Sequence, residues 1–289
     1  MLEKLEEKEF VIAPSGQKAN AKPYQMALAV EETQMVEMIK ALLIEVAGEQ
    51  EANAQYNAQF PGGWRNAEEK RWAPVFAQLD TLTQAISDAE VGDITSSGYP
   101  DYQLTVTSTG FKVAEALAQF RSLLNATLND IVTTGRHFNP DLLHQAFKTY
   151  DDHYHDYFGN DYSDPRAMLF WQQIIGYIQR LMPANYVQAF CEGLANTVGK
   201  LRNGIPQTRL FQIEVYHAEF DEWVYPEFYP LTASRLGFDF ALHSTGARWA
   251  KDAAKDAAHG DVRAFEAYVN QKQQTGCRHF RDSLLKCKS

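Results

Sequence analysis

The sequence predicts an all-α protein, a helical-bundle core with a flexible N-terminal arm and a C-terminal extension, and at most one short β-hairpin. Three observations predict this. Apolar residues recur at helical spacing over most of the chain, as in Met26, Leu28, Val30, Met35, Met38, Ile39, Leu42, Leu43 and Val46. Helix starts are marked at Asn139-Pro140 and at Asp164-Pro165, an N-cap residue followed by proline at the first helical position. β-like composition, rich in Gly, Ser, Thr and β-branched residues, is confined to Glu90 to Thr109.

Taken in order, 1–23 reads as the arm. A charged run passes through Phe10-Val11-Ile12-Ala13 into the turn-rich APSGQKANAKP, and the apolar patch suits either docking on a neighbour or a first strand. A long amphipathic helix is expected over Tyr24 to Gln50. Phe60-Pro61-Gly62-Gly63 breaks the chain, and Trp64 to Ala89 resumes the pattern through Trp72, Val75, Phe76, Leu79, Leu82 and Ile86. After the β-like stretch come helices at Gly110 to Thr134, Asp141 to Phe158, Arg166 to Leu181 and Ala184 to Leu201. Next is Gln207 to Phe240, read as an aromatic-studded helix that ends on Phe238-Asp239-Phe240. Past Asp239, two polar, Ala-rich helices parted at His259-Gly260 make up the basic extension, 245–289, so that the core is 24–244.

With 289 residues, 45% of them hydrophobic, the chain can bury a full core. The sequence has no apolar run of about 18 residues, and Met1 to Phe10 is charged where a signal peptide needs an apolar centre; no membrane partner and a cytosol-like compartment are expected. Cys191, Cys277 and Cys287 are too irregularly spaced for a disulfide framework or a zinc site. The net charge of −10 opposes polyanion binding, yet it is unevenly spread. Met1 to Pro100 holds eight Lys/Arg against sixteen Asp/Glu, whereas Gly246 to Ser289 holds nine against five. An acidic front and a basic tail suit a molecule that contacts copies of itself or shows base to an internal polyanion, and equally suit plain solubility.

Two acid-x-x-His spacings, Glu214 with His217 and Asp152 with His155, would set a carboxylate and an imidazole on one helical face, as di-iron bundles require, with isolated acids such as Glu37 or Glu115 completing the set. The oxygens of DYFGNDYSD lack the register and closing Glu of a calcium loop. No nucleophile elbow or glycine-rich phosphate loop is present. The expectation is therefore a non-enzyme with no cofactor and no metal, a metal-dependent helical-bundle enzyme being the runner-up and a helical scaffold or effector the third reading.

Arg209 and Asp239 carry the sharper signal. Arg209 follows Pro206 at a predicted helix start, where the dipole disfavours a cation. Asp239 stands between two phenylalanines, which disfavours its charge unless it is paired. Paired together, they would leave guanidinium N–H groups free for a phosphate.

Arg209, Phe211, Tyr216, Trp223 and Phe238-Asp239-Phe240, in that order and ending in LTASRLGFDF, resemble the core of coat proteins of flexuous filamentous plant viruses of the potexvirus and potyvirus type. The resemblance implies a capsid protein of the virion and host cytoplasm that binds single-stranded RNA sequence-tolerantly and polymerises into a helical filament. Arg209 would sit at the phosphate backbone with Asp239 positioning it. The N-terminal arm and C-terminal extension would join neighbouring subunits. The family's groove serine has no counterpart at Tyr177 to Leu181; Thr197, nearer to Arg209 but off register, together with Lys200 and Arg202 completes the expected RNA-binding set.

Overall fold

The computed structural model describes residues 4–5, 7–12, 18–61, 69–96, 102–104, 108–129, 131–132, 134–154, 164–205, 215–217, 222–224, 240–243, 246–249 and 259–286. The core is helical, as expected. Two helices, α1 (Pro23–Ala29) and α2 (Thr33–Ala47), occupy the stretch Tyr24 to Gln50 where one long helix was expected, and a third, α3 (Glu49–Gln59), carries on from its end. The breaks fall at two backbone positions: Glu31 adopts φ 55 and Gly48 φ 88, neither of which continues an α-helix. The three helices enclose a small core of Tyr24, Ala27, Leu28, Val36, Leu43, Ala52 and Phe60, to which Leu5 adds from the N-terminal segment.

The main core begins with an antiparallel-type pair, α4 (Glu69–Asp88) and α5 (Ser108–Asn129), in close contact along their length. Trp72, Val75, Leu79, Leu82 and Ile86 face Val113, Phe120 and Leu124, all fully buried, because positions three and four apart share one helix face. Helix α6 (Pro140–His153) starts where Asn139 Oδ1 accepts from the Asp141 N–H at 3.0 Å. Helix α7 (Pro165–Phe170) starts likewise, Asp164 accepting from the Arg166 N–H at 2.8 Å. It runs through a π-helical turn, Trp171–Ile175, into α8 (Gly176–Arg180). The single helix expected over Ala184 to Leu201 is divided at Gly193, φ 83, into α9 (Ala184–Cys191) and α10 (Leu194–Arg202).

Helix α11 (His259–Lys286) begins at the expected boundary and runs on without a break. It packs against α6 and α10, and Phe265, Tyr268 and Val269 belong to the main core, so the first half of this helix is part of the bundle. Phe265 stacks on Phe190 at 5.5 Å between ring centres and meets Phe147 at 6.1 Å.

The strand content corrects the expectation of a single hairpin. Nine short strands form three small sheets among the described residues. In the segment read as a loose arm, β1 (Glu9–Ile12) pairs antiparallel with β2 (Lys18–Ala21), and β2 pairs parallel with β5 (Ile131–Val132). The expected hairpin is present as β3 (Ile94–Ser96) and β4 (Tyr102–Leu104). The largest departure is over Gln207 to Phe240. Within it lie β6 (Val215–His217) and β7 (Glu222–Val224), and with β8 (Phe240–His243) and β9 (Gly246–Trp249), which follow from its last residue into the extension read as helical, they form a four-stranded sheet in the order β7-β6-β9-β8. Tyr216 and Trp223 are cross-strand partners in it, not neighbours along one helix. Strand β8 packs on α8, α9 and the π turn, and β9 packs on α9, which fixes the sheet to the bundle.

Candidate nucleic-acid interface and a buried charged centre

The five residues expected to bind RNA are not assembled by the described part of the fold. Arg209 and Asp239 lie outside the described residues. Thr197 must be withdrawn from the set. It is fully buried on α10, and its hydroxyl donates to the carbonyls of Gly193 at 3.1 Å and Ala189 at 3.3 Å, so no ligand reaches it. Lys200 is paired with Glu192 at 3.0 Å. Arg202 is exposed, and its Nε donates to Gln271 on α11 at 3.4 Å. Both cations stand in the last turn of α10, where they offset the negative helix end and tie α10 to its neighbours.

The metal reading loses its helical premise at His217, which lies in β6, and Glu214 is outside the described residues. Of the second pair, Asp152 is exposed and bound to Lys148 one turn before it, while His155 is outside the described residues. Among the described residues no group of three or more His, Cys, Asp or Glu could hold a metal ion, and no helix is long and apolar enough to cross a membrane.

A different cluster of charge is buried where α1, α2, the loop before α6, α9 and α11 meet. Glu31, held at φ 55 between α1 and α2, places a 93%-buried carboxylate in the interior. The Tyr186 hydroxyl donates to it, and Arg136 approaches at 3.7 Å. Arg136 in turn donates to Asn139 Oδ1 at 3.2 Å. The Asn185 amide donates to the carbonyls of Glu31 at 2.9 Å and Val30 at 3.1 Å, satisfying the backbone that the strained turn exposes.

Lys272 of α11 closes the cluster. It is buried, and its ammonium lies over the Tyr186 ring at 4.1 Å and the Tyr268 ring at 5.4 Å, with no hydrogen-bond acceptor among the described residues. Burial depresses its pKa to about 8, with the negative charges of Glu31 and Glu32 working the other way. Burial, reinforced by the Glu31 charge, pushes the Tyr186 phenol well above its ordinary value. The centre is thus a carboxylate facing a guanidinium, with an ammonium beside it whose pKa burial has lowered. It joins residues 31, 136, 186 and 272, drawn from four separated parts of the chain.

Sequence reasoning missed this centre because nothing local marks Glu31 or Arg136. Lys272 did carry a signal: it follows Phe265 and Tyr268 by seven and four positions, on the apolar stripe of α11. No protein-family model, curated protein or solved structure matches this chain.

Proposed function

We propose that this protein coats single-stranded RNA, binding it without sequence preference and assembling along it through contacts between copies of the chain. The observation that carries this reading is the ordered motif Arg209, Phe211, Tyr216, Trp223 and Phe238-Asp239-Phe240. Its parts are distant in sequence, and three of them, Tyr216, Trp223 and Phe240, fall in strands of one small sheet. Support also comes from the charge distribution, since an acidic first third and a basic tail suit head-to-tail contact between copies. The role is binding, without catalysis. Arg209 supplies the phosphate contact and Asp239 holds its guanidinium. Arg209→Ala is expected to abolish co-purification of RNA while the chain still folds, as read by circular dichroism and a cooperative thermal transition. Parent-like RNA content in that variant contradicts the assignment.

A further inference from the structure

Eight of the fifteen residues of α2 are Met, Val, Ile or Leu, yet only Val36 and Leu43 are buried. Met35, Ile39, Leu42 and Val46 pack against the small core and stay half-buried. Met38 is 61% exposed and Ile44 37%. A helix apolar on so much of its circumference is ordinarily an enclosed one, and an open apolar face of this kind marks an interaction surface. At 3.6 residues per turn, Glu37, Met38, Ala41, Ile44 and Glu45, all exposed, fall within roughly a third of the circumference. Lys40, the helix's one cation, lies outside that arc and is half-buried. The open face is therefore apolar with a carboxylate toward each end.

A basic amphipathic helix fits such a face, its apolar side covering Met38 and Ile44 and its cations meeting the two acids. The chain carries one. Helix α11 gives its first half to the main core as far as Lys272 and continues as helix through 273–286. The sequence of that stretch holds Arg278, Arg281 and Lys286 against Asp282. By helical spacing Cys277, Arg278, Arg281, Leu284 and Leu285 fall within a similar third of the turn, with Asp282 outside it. This is the same mixture of apolar bulk and charge in the opposite sign. The lengths match as well, about 21 Å of helix for 273–286 and about 22 Å for α2. Because α11 is one unbroken helix, its own end cannot fold back over α2, and Met38 and Ile44 stay exposed in the copy that carries it.

We infer that the open face of α2 is a docking site for the basic helix 273–286 of a second copy of this chain. The two surfaces differ, so the contact runs head to tail and repeats from copy to copy. This rests on the assembly part of the RNA-coating reading and names the surfaces that join.

The test is sedimentation velocity of the full chain at low salt, alone and with oligouridine, comparing variants wherever the parent associates. Glu37→Lys with Glu45→Lys in one protein, and Arg278→Glu with Arg281→Glu in another, are each expected to weaken self-association about a hundredfold, since like charges then face one another. An equimolar mixture of the two is expected to restore the association of the parent, because each reversed face meets a reversed helix. Mixing mends neither a folding defect nor a lost RNA contact. Parent-like association in either variant alone, or a mixture that stays as dissociated as its components, overturns this contact while the coating role stands. A parent chain that remains monomeric both alone and with oligouridine overturns the assembly and this contact together.

Discussion

Lys272 is the residue whose environment most constrains its behaviour. An ammonium buried over two tyrosine rings, with no acceptor among the described residues, costs free energy that the rings return only in part. Its folded pKa of about 8 lies below the ordinary 10.5. The unfolded chain therefore binds more protons than the folded one between those values, and stability from this group rises with pH across that window. Below about pH 8 the whole cost is present, roughly 3 kcal/mol from the displacement in pKa. Lys272→Met removes the charge and keeps the length. We expect it to be more stable than the parent at pH 7 by about 1–2 kcal/mol after loss of the cation–π contacts, with the difference vanishing near pH 10.5, as read by urea unfolding of both proteins at each pH. Glu31 makes the opposite case. Glu31→Gln removes the carboxylate charge that faces the buried Arg136 guanidinium, and a loss of about 3 kcal/mol in the same measurement is expected.

Helix ends and breaks decide the architecture at the scale of elements. Gly193 separates α9 from α10 at φ 83, a conformation that a side chain resists. Gly193→Ala is expected to cost roughly 1–2 kcal/mol without altering helix content by circular dichroism. The helices α4, α5, α6 and α7 were legible in the sequence because long apolar stripes and the Asn139 and Asp164 caps agree with one another. The turn at Glu31 was not, since neither glycine nor proline marks it, and the conformation is held by Asn185, more than 150 residues away. The strands β6 to β9 were missed for a related reason. Phe211, Val215, Phe220 and Trp223 fit helical spacing, while three- and four-residue strands are too short to show a period of two; pairing between Tyr216 and Arg248, distant in sequence, fixes them as a sheet.

On the scale of the whole molecule, α11 joins the two ends of the chain. Its first half fills the main core through Phe265 and Tyr268, and Lys272 reaches the turn between α1 and α2, so the basic C-terminal segment is partly consumed by folding. Phe265→Ala, which opens a cavity against Phe147 and Phe190, is expected to cost about 3–5 kcal/mol, enough to lower the melting temperature of the whole chain in one transition if the bundle and this helix unfold together. The proposed RNA contacts, Arg209 and Asp239, were visible in the sequence as charges among aromatics. The central claim, that the chain coats single-stranded RNA, is tested most directly by negative-stain microscopy of the purified full chain together with its ultraviolet absorbance ratio. Filaments with the absorbance of a nucleoprotein are the predicted result; monodisperse particles with the absorbance of protein alone would contradict it.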